Sequence, residues 1–120
     1  MCGIAAIFSD KPVAGELYDS IIHLQHRGQD AAGIMTYDER FHVKKGTGLV
    51  RDVFDEQNMA RLQGKIGIGH TRYPTVGGFS IEEAQPVLTS VPYGIAMAHN
   101  GNLVNYSELA REVSQENHRH

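Results

Sequence analysis

The 120-residue chain has one cysteine, no tryptophan and four prolines, and its 41% apolar residues never gather into a run long enough to span a membrane. A single thiol excludes an internal disulfide and a four-thiolate zinc or iron–sulfur site. Eleven basic residues against fourteen acidic ones give a formal net charge of -3 and a pI near 6.1, so no basic field attracts nucleic acid or an anionic membrane. The N-terminus lacks the basic and apolar regions of a signal peptide, which makes the cytoplasm the expected compartment. No repeat, low-complexity tract or linker marks a domain boundary, and the length suits one domain or a piece of one.

What is present begins with the position of the one thiol. Cys2 follows Met1 directly and precedes the apolar run Gly3-Ile4-Ala5-Ala6-Ile7-Phe8. If Met1 is removed, a thiol and a free α-amine share one residue. With an amine pKa of about 8 and a thiol pKa of about 8.5, the amine can take the thiol proton directly or through a water near neutral pH. The bland alternative is a small buried hydrophobe at an accidental position.

The apolar pattern predicts a buried strand over 3–8, too short for a helix and bounded by Ser9-Asp10-Lys11-Pro12. A helix is expected over 16–25, with Leu17, Ile21 and Leu24 on one face, stopping before Arg27-Gly28. Strands over 32–37 and 41–45 form a hairpin around Asp38-Glu39-Arg40, with Gly46 and Gly48 breaking the pattern. A second helix is expected over 52–62, with Phe54, Met59 and Leu62 as its apolar contacts. The segments 65–70 and 94–99 alternate apolar residues with Gly or Ala and read as central strands, whose small-residue faces let another layer approach closely. The last helix runs over 106–115, with Asn105 as N-cap and Glu108 three residues on.

Three further segments carry chemistry. Arg72 ends a glycine-alternating strand ahead of a loop bearing Pro74, Gly77 and Gly78, which suits a guanidinium clamp for a substrate carboxylate, with the Thr75 hydroxyl adding a bond. A solvated Arg at a strand end is the plain alternative. In His99-Asn100-Gly101-Asn102, a side-chain amide beside a glycine N–H suits an oxyanion hole, although Asn-Gly is also the commonest two-residue hairpin turn. The polar loop running from Leu24 through Gln25-His26-Arg27-Gly28-Gln29-Asp30 reads either as a pocket wall or as a surface turn with Gly28 as the helix stop.

Together, Met1-Cys2-Gly3-Ile4, the stretch from Leu24 to Ile34 with its Arg27-Gly28-Gln29-Asp30, Gly67-Ile68-Gly69-His70-Thr71-Arg72-Tyr73-Pro74-Thr75 and Ala98-His99-Asn100-Gly101-Asn102-Leu103 resemble, in order and spacing, the class II glutamine amidotransferases. These are N-terminal-nucleophile (Ntn) hydrolases. Gln29-Asp30-Ala31-Ala32 and Tyr73-Pro74-Thr75 resemble the branch that delivers ammonia to phosphoribosyl pyrophosphate. The glucosamine-6-phosphate synthase relative would instead carry Tyr at position 29 and Trp-Ala in place of Tyr73-Pro74.

The resemblance implies an α+β fold, the Ntn-hydrolase αββα sandwich of antiparallel sheets, incomplete in this chain. It implies that 1–120 is the N-terminal part of a glutaminase domain, with the phosphoribosyltransferase domain absent. Cys2 would attack the glutamine amide, its α-amine acting as base, while Asn100 and Gly101 hold the oxyanion. Arg72 and Thr75 would bind the substrate α-carboxylate, Arg27, Gly28 and Tyr73 would line the pocket, and 73–83 would close over it. L-glutamine is the expected ligand. No metal or cofactor is expected in this chain; magnesium and phosphoribosyl pyrophosphate belong to the absent domain, and the complete enzyme would be a homo-oligomer acting in the first step of de novo purine synthesis. An Asp that would pair with the glutamine α-amine has no counterpart after Asp55.

Other readings remain. Cys2 with His70 or His99 could form a thiol-protease-like dyad. A metal site at Cys2, His70 and His99, or at His23 and His26, fits no common zinc spacing. The chain could also be a truncated, non-catalytic fragment, or part of another class II amidotransferase.

Overall fold

The computed structural model describes residues 2–25, 29–73, 84–100 and 105–117. The elements run β1 (Gly3–Phe8), α1 (Ala14–Leu24), β2 (Ala31–Asp38), β3 (Arg40–Thr47), α2 (Val50–Val53), α3 (Glu56–Arg61), β4 (Ile66–Arg72), β5 (Val87–Thr89), β6 (Ile95–Met97) and α4 (Tyr106–Asn117). The first four strands form an antiparallel sheet in the order β1-β4-β2-β3, and β5 with β6 forms a separate two-stranded sheet.

The main sheet is built around β4, whose glycines make room for α1. A Cβ at Gly67 would lie 2.6 Å from Leu17 Cδ1, and one at Gly69 would lie 2.7 Å from Ile21 Cγ2. Leu17 and Ile21 are completely buried there with Val13, Ile34 and Val50, in the core that α1 and α2 share with the sheet. The expectation that the Gly/Ala face admits a closely packed layer is thus met in β4.

The opposite face of the sheet receives the 84–86 segment that leads into β5. Its approach depends on Gly33, where a Cβ would overlap the Gln85 carbonyl oxygen. Lys45 Nζ donates to the carbonyls of Ala84 (3.0 Å) and Pro86 (3.2 Å), fastening that segment across β3. The small β5–β6 sheet then lies over the main sheet with Gly94 against the ring of Phe41. Its apolar residues stay open, among them Val87, Ile95 and Met97, and Phe8 on β1 is 83% exposed.

The structure departs from the sequence reading at several elements. The 52–62 helix is two helices, because Asp55 takes extended backbone and its carboxylate accepts the Asn58 N–H at 2.7 Å, capping α3 afresh. Phe54, at the break, is buried edge-on to Tyr18. Strand β3 continues through Gly46 to Thr47 because its register with Ala32 and Ala31 is uninterrupted. Strand β6 is shorter than expected and has only β5 beside it among the described residues, so it is not a central strand here. Strand β5 had no signal of its own: three residues between Pro86 and Pro92 are too few for a period.

Candidate active site

Antiparallel pairing carries the chain's start to the end of β4. The β1–β4 register ends at Gly3 opposite Thr71, and one further step sets Cys2 beside Arg72 at the rim of the sheet. On its other side, Arg72 pairs with Ala31, and its carbonyl accepts the Asp30 N–H at 2.9 Å. Cys2 is half-buried and its thiol is free.

Asn100 arrives at the same rim from the other sheet. Its Nδ2 donates to the Cys2 carbonyl oxygen at 2.8 Å across 98 residues of sequence. An amide nitrogen carries two hydrogens, so one donor remains after this bond is made. Tyr73, the next residue after β4, is buried, and its hydroxyl donates to the Leu24 carbonyl at 3.2 Å, joining the end of β4 to the end of α1. Cys2, Arg72, Tyr73 and Asn100 therefore gather around one end of the main sheet. Arg27, Gly28, Thr75 and Gly101, the other expected site residues, and most of the expected 73–83 lid lie outside the described residues.

The polar loop after α1 braces the backbone with its described side chains. Gln29 is buried, and its Nε2 donates to the carbonyls of Ala31 (2.7 Å) and Gly48 (2.8 Å), while Gln25 Oε1 accepts the Val50 N–H at 2.9 Å. These bonds fix the β2 end of the rim to the turn before α2.

Neither imidazole reading is favoured. His70 is fully buried, and its Nε2 lies 3.2 Å from the His99 carbonyl oxygen, which can only accept, so the proton sits on Nε2. Burial pushes the His70 pKa below the ordinary imidazole value; the carbonyl contact opposes this, and Arg72 and His99 add to it. No hydrogen bond joins the Cys2 thiol to His70 or His99 among the described residues. His23 Nδ1 is engaged at 2.7 Å by the Asp19 carbonyl of its own helix. Among the described residues no group of three or more His, Cys, Asp or Glu is placed to hold a metal ion, and no helix is long and apolar enough to cross a membrane.

One participant had no signal in the sequence. Gln85 Oε1 accepts the His99 N–H at 2.5 Å, although it is a single glutamine before a proline, outside every motif.

No family model matches the chain. Comparison with known proteins finds an amidophosphoribosyltransferase from Pasteurella multocida that is 53% identical over 122 residues, covering 100% of this chain and 24% of that protein. A solved structure described as the allosteric regulatory enzyme of purine biosynthesis superposes with a TM-score of 0.85 at 36% identity, covering 98% of this chain and 26% of that one. The glutamine phosphoribosylpyrophosphate amidotransferase of B. subtilis, complexed with ADP and GMP, gives 0.83 at 34% identity, with 98% and 25% covered. The chain spans about a quarter of the length of the curated relatives it matches. Along its whole length it resembles the N-terminal, glutaminase part of amidophosphoribosyltransferase, and its antiparallel α+β architecture matches the Ntn-hydrolase fold of those structures.

Proposed function

We propose that this chain is the nucleophile-bearing part of a glutaminase that releases ammonia from L-glutamine through a thioester on Cys2. With Met1 removed, Cys2 Sγ attacks the side-chain amide carbon of glutamine while the α-amine of the same residue accepts the thiol proton. The second hydrogen of Asn100 Nδ2 and the Gly101 N–H receive the charge that develops on the amide oxygen. Collapse of the tetrahedral species returns the proton to the departing nitrogen, ammonia leaves, and a γ-glutamyl thioester remains. Water then attacks the thioester carbonyl, the α-amine takes the water's proton, and glutamate departs as the thiol is restored. Arg72 and Thr75 hold the substrate α-carboxylate, and Arg27, Gly28 and Tyr73 shape the pocket wall.

In the complete protein the ammonia displaces pyrophosphate from phosphoribosyl pyrophosphate and yields phosphoribosylamine, the opening step of purine synthesis. Magnesium serves that second reaction, on residues outside this chain. The names of the relatives, amidophosphoribosyltransferases matched over the chain's full length, support this assignment.

The observation that carries the glutaminase reading is the 2.8 Å bond from Asn100 Nδ2 to the Cys2 carbonyl, which ties the proposed oxyanion donor to the residue that bears the proposed nucleophile. A chimera in which this chain replaces the aligned segment of the Pasteurella multocida relative tests it. Release of glutamate from glutamine, lost in Cys2→Ser, is the expected result. A folded chimera that keeps ammonia-dependent synthesis of phosphoribosylamine but releases no glutamate would refute the reading.

A further inference from the structure

We propose that His70 and Gln85 are positioning residues that clamp the His99 backbone and so aim the Asn100 amide; the proposal rests on the reading of Asn100 as an oxyanion donor. Strand β6 ends at Met97, three residues before Asn100, and is itself only three residues long with one neighbour among the described residues. Its ladder cannot hold Asn100 to within a fraction of an ångström. The two side chains supply that hold.

Gln85 Oε1 takes the His99 N–H at 2.5 Å, and His70 Nε2 donates to the His99 carbonyl at 3.2 Å. The first bond fixes the peptide plane entering His99, and the second fixes the plane leaving it. Peptide planarity makes the second plane decisive, because the His99 carbonyl and the Asn100 nitrogen belong to the same rigid unit. With both planes fixed, Asn100 Cα has a set place and direction, and the bond from Nδ2 to the Cys2 carbonyl selects the side-chain torsions.

Both anchors are rigid. His70 is fully buried in the middle of β4, paired with Ile4 of β1 and Gly33 of β2. Gln85 follows the fully buried Ala84, whose carbonyl is bound by Lys45, and its own carbonyl is seated over Gly33. His70 Nδ1 is buried with no hydrogen-bond partner among the described residues. The imidazole thus serves as a neutral, rigid N–H strut reaching from the sheet to the loop.

A misplacement of about 1 Å can cost on the order of 100-fold in rate. In the chimera described above, His70→Phe keeps a ring in the space and removes the donor, Gln85→Met removes the acceptor, and His70→Gln keeps an N–H at similar reach. The expected result is a kcat for glutamate release lowered roughly 10- to 100-fold in His70→Phe and Gln85→Met, with the glutamine KM within about threefold, and most of the kcat regained in His70→Gln. Hydrogen exchange followed by mass spectrometry gives a readout independent of turnover. Exchange across 98–100 rises in the two disruptive variants, while β1 and β2 keep their protection. Unchanged exchange at 98–100, or a loss expressed in KM with kcat intact, overturns the proposal. If the unmodified chimera releases no glutamate, the glutaminase reading falls, and the exchange comparison alone decides whether the clamp exists.

Discussion

Asn100 Nδ2 donates to the carbonyl oxygen of Cys2 at 2.8 Å, joining the end of the second sheet to the start of the first. Replacing Asn100 with Ala removes both this tether and the spare donor. Glutamate release should fall by about 100- to 1,000-fold, mainly in kcat. Steady-state kinetics on the chimera check this, and a change confined to KM would remove Asn100 from oxyanion stabilisation.

The α-amine of Cys2 is assigned the role of base, so retention of Met1 should silence the enzyme while leaving the thiol in place. A variant with a bulky residue inserted between Met1 and Cys2, which blocks trimming and keeps the thiol, should release no glutamate yet still react with iodoacetamide. Full turnover with Met1 retained, verified by intact mass, would transfer the base role to another group.

Two glycines should respond in opposite directions to a methyl group. Gly33→Ala drives a carbon into the Gln85 carbonyl oxygen, and the resulting displacement of backbone should cost about 1–3 kcal/mol. Gly15, in α1, has nothing within 4 Å of the place its added methyl would occupy, so Gly15→Ala should stabilise by about 0.5 kcal/mol. Urea denaturation of the two variants measures both.

Stability should fall on mild acidification, and His70 should account for part of the loss. Its folded pKa lies below the 6.5 of an ordinary imidazole, chiefly through desolvation. From about pH 7.5 upward, a unit above the ordinary imidazole value, both states are neutral and the group contributes no pH dependence. As pH drops below that value the unfolded chain binds the proton first, so the folded state loses ground down to the folded-state pKa. His70→Gln should flatten this part of the denaturation profile, and an unchanged acid limb would show that other groups set it.

Much of the scaffold is readable from apolar patterning. Strand β1 matches its expected span, α1 follows from Leu17 and Ile21, and the 38–40 turn closes a hairpin as anticipated. The helix break at Asp55 escapes the sequence reading because the apolar positions of Phe54, Met59 and Leu62 mask a local N-cap, a competition between side chain and backbone that periodicity does not register. The gathering of Cys2, Arg72 and Asn100 follows from strand ends meeting at one rim, and motif order points to it. The bond from His99 to Gln85 is invisible in the sequence because it depends on where residue 99 passes, a tertiary fact with no local sequence correlate.

The central claim, a glutamine-specific N-terminal nucleophile, is tested most directly by intact mass of the purified chimera before and after exposure to 6-diazo-5-oxo-norleucine, with and without excess glutamine. The account predicts loss of Met1 and one adduct, on Cys2, that glutamine suppresses. A Met1-free, folded protein that takes no adduct, or takes one that glutamine does not suppress, would contradict it.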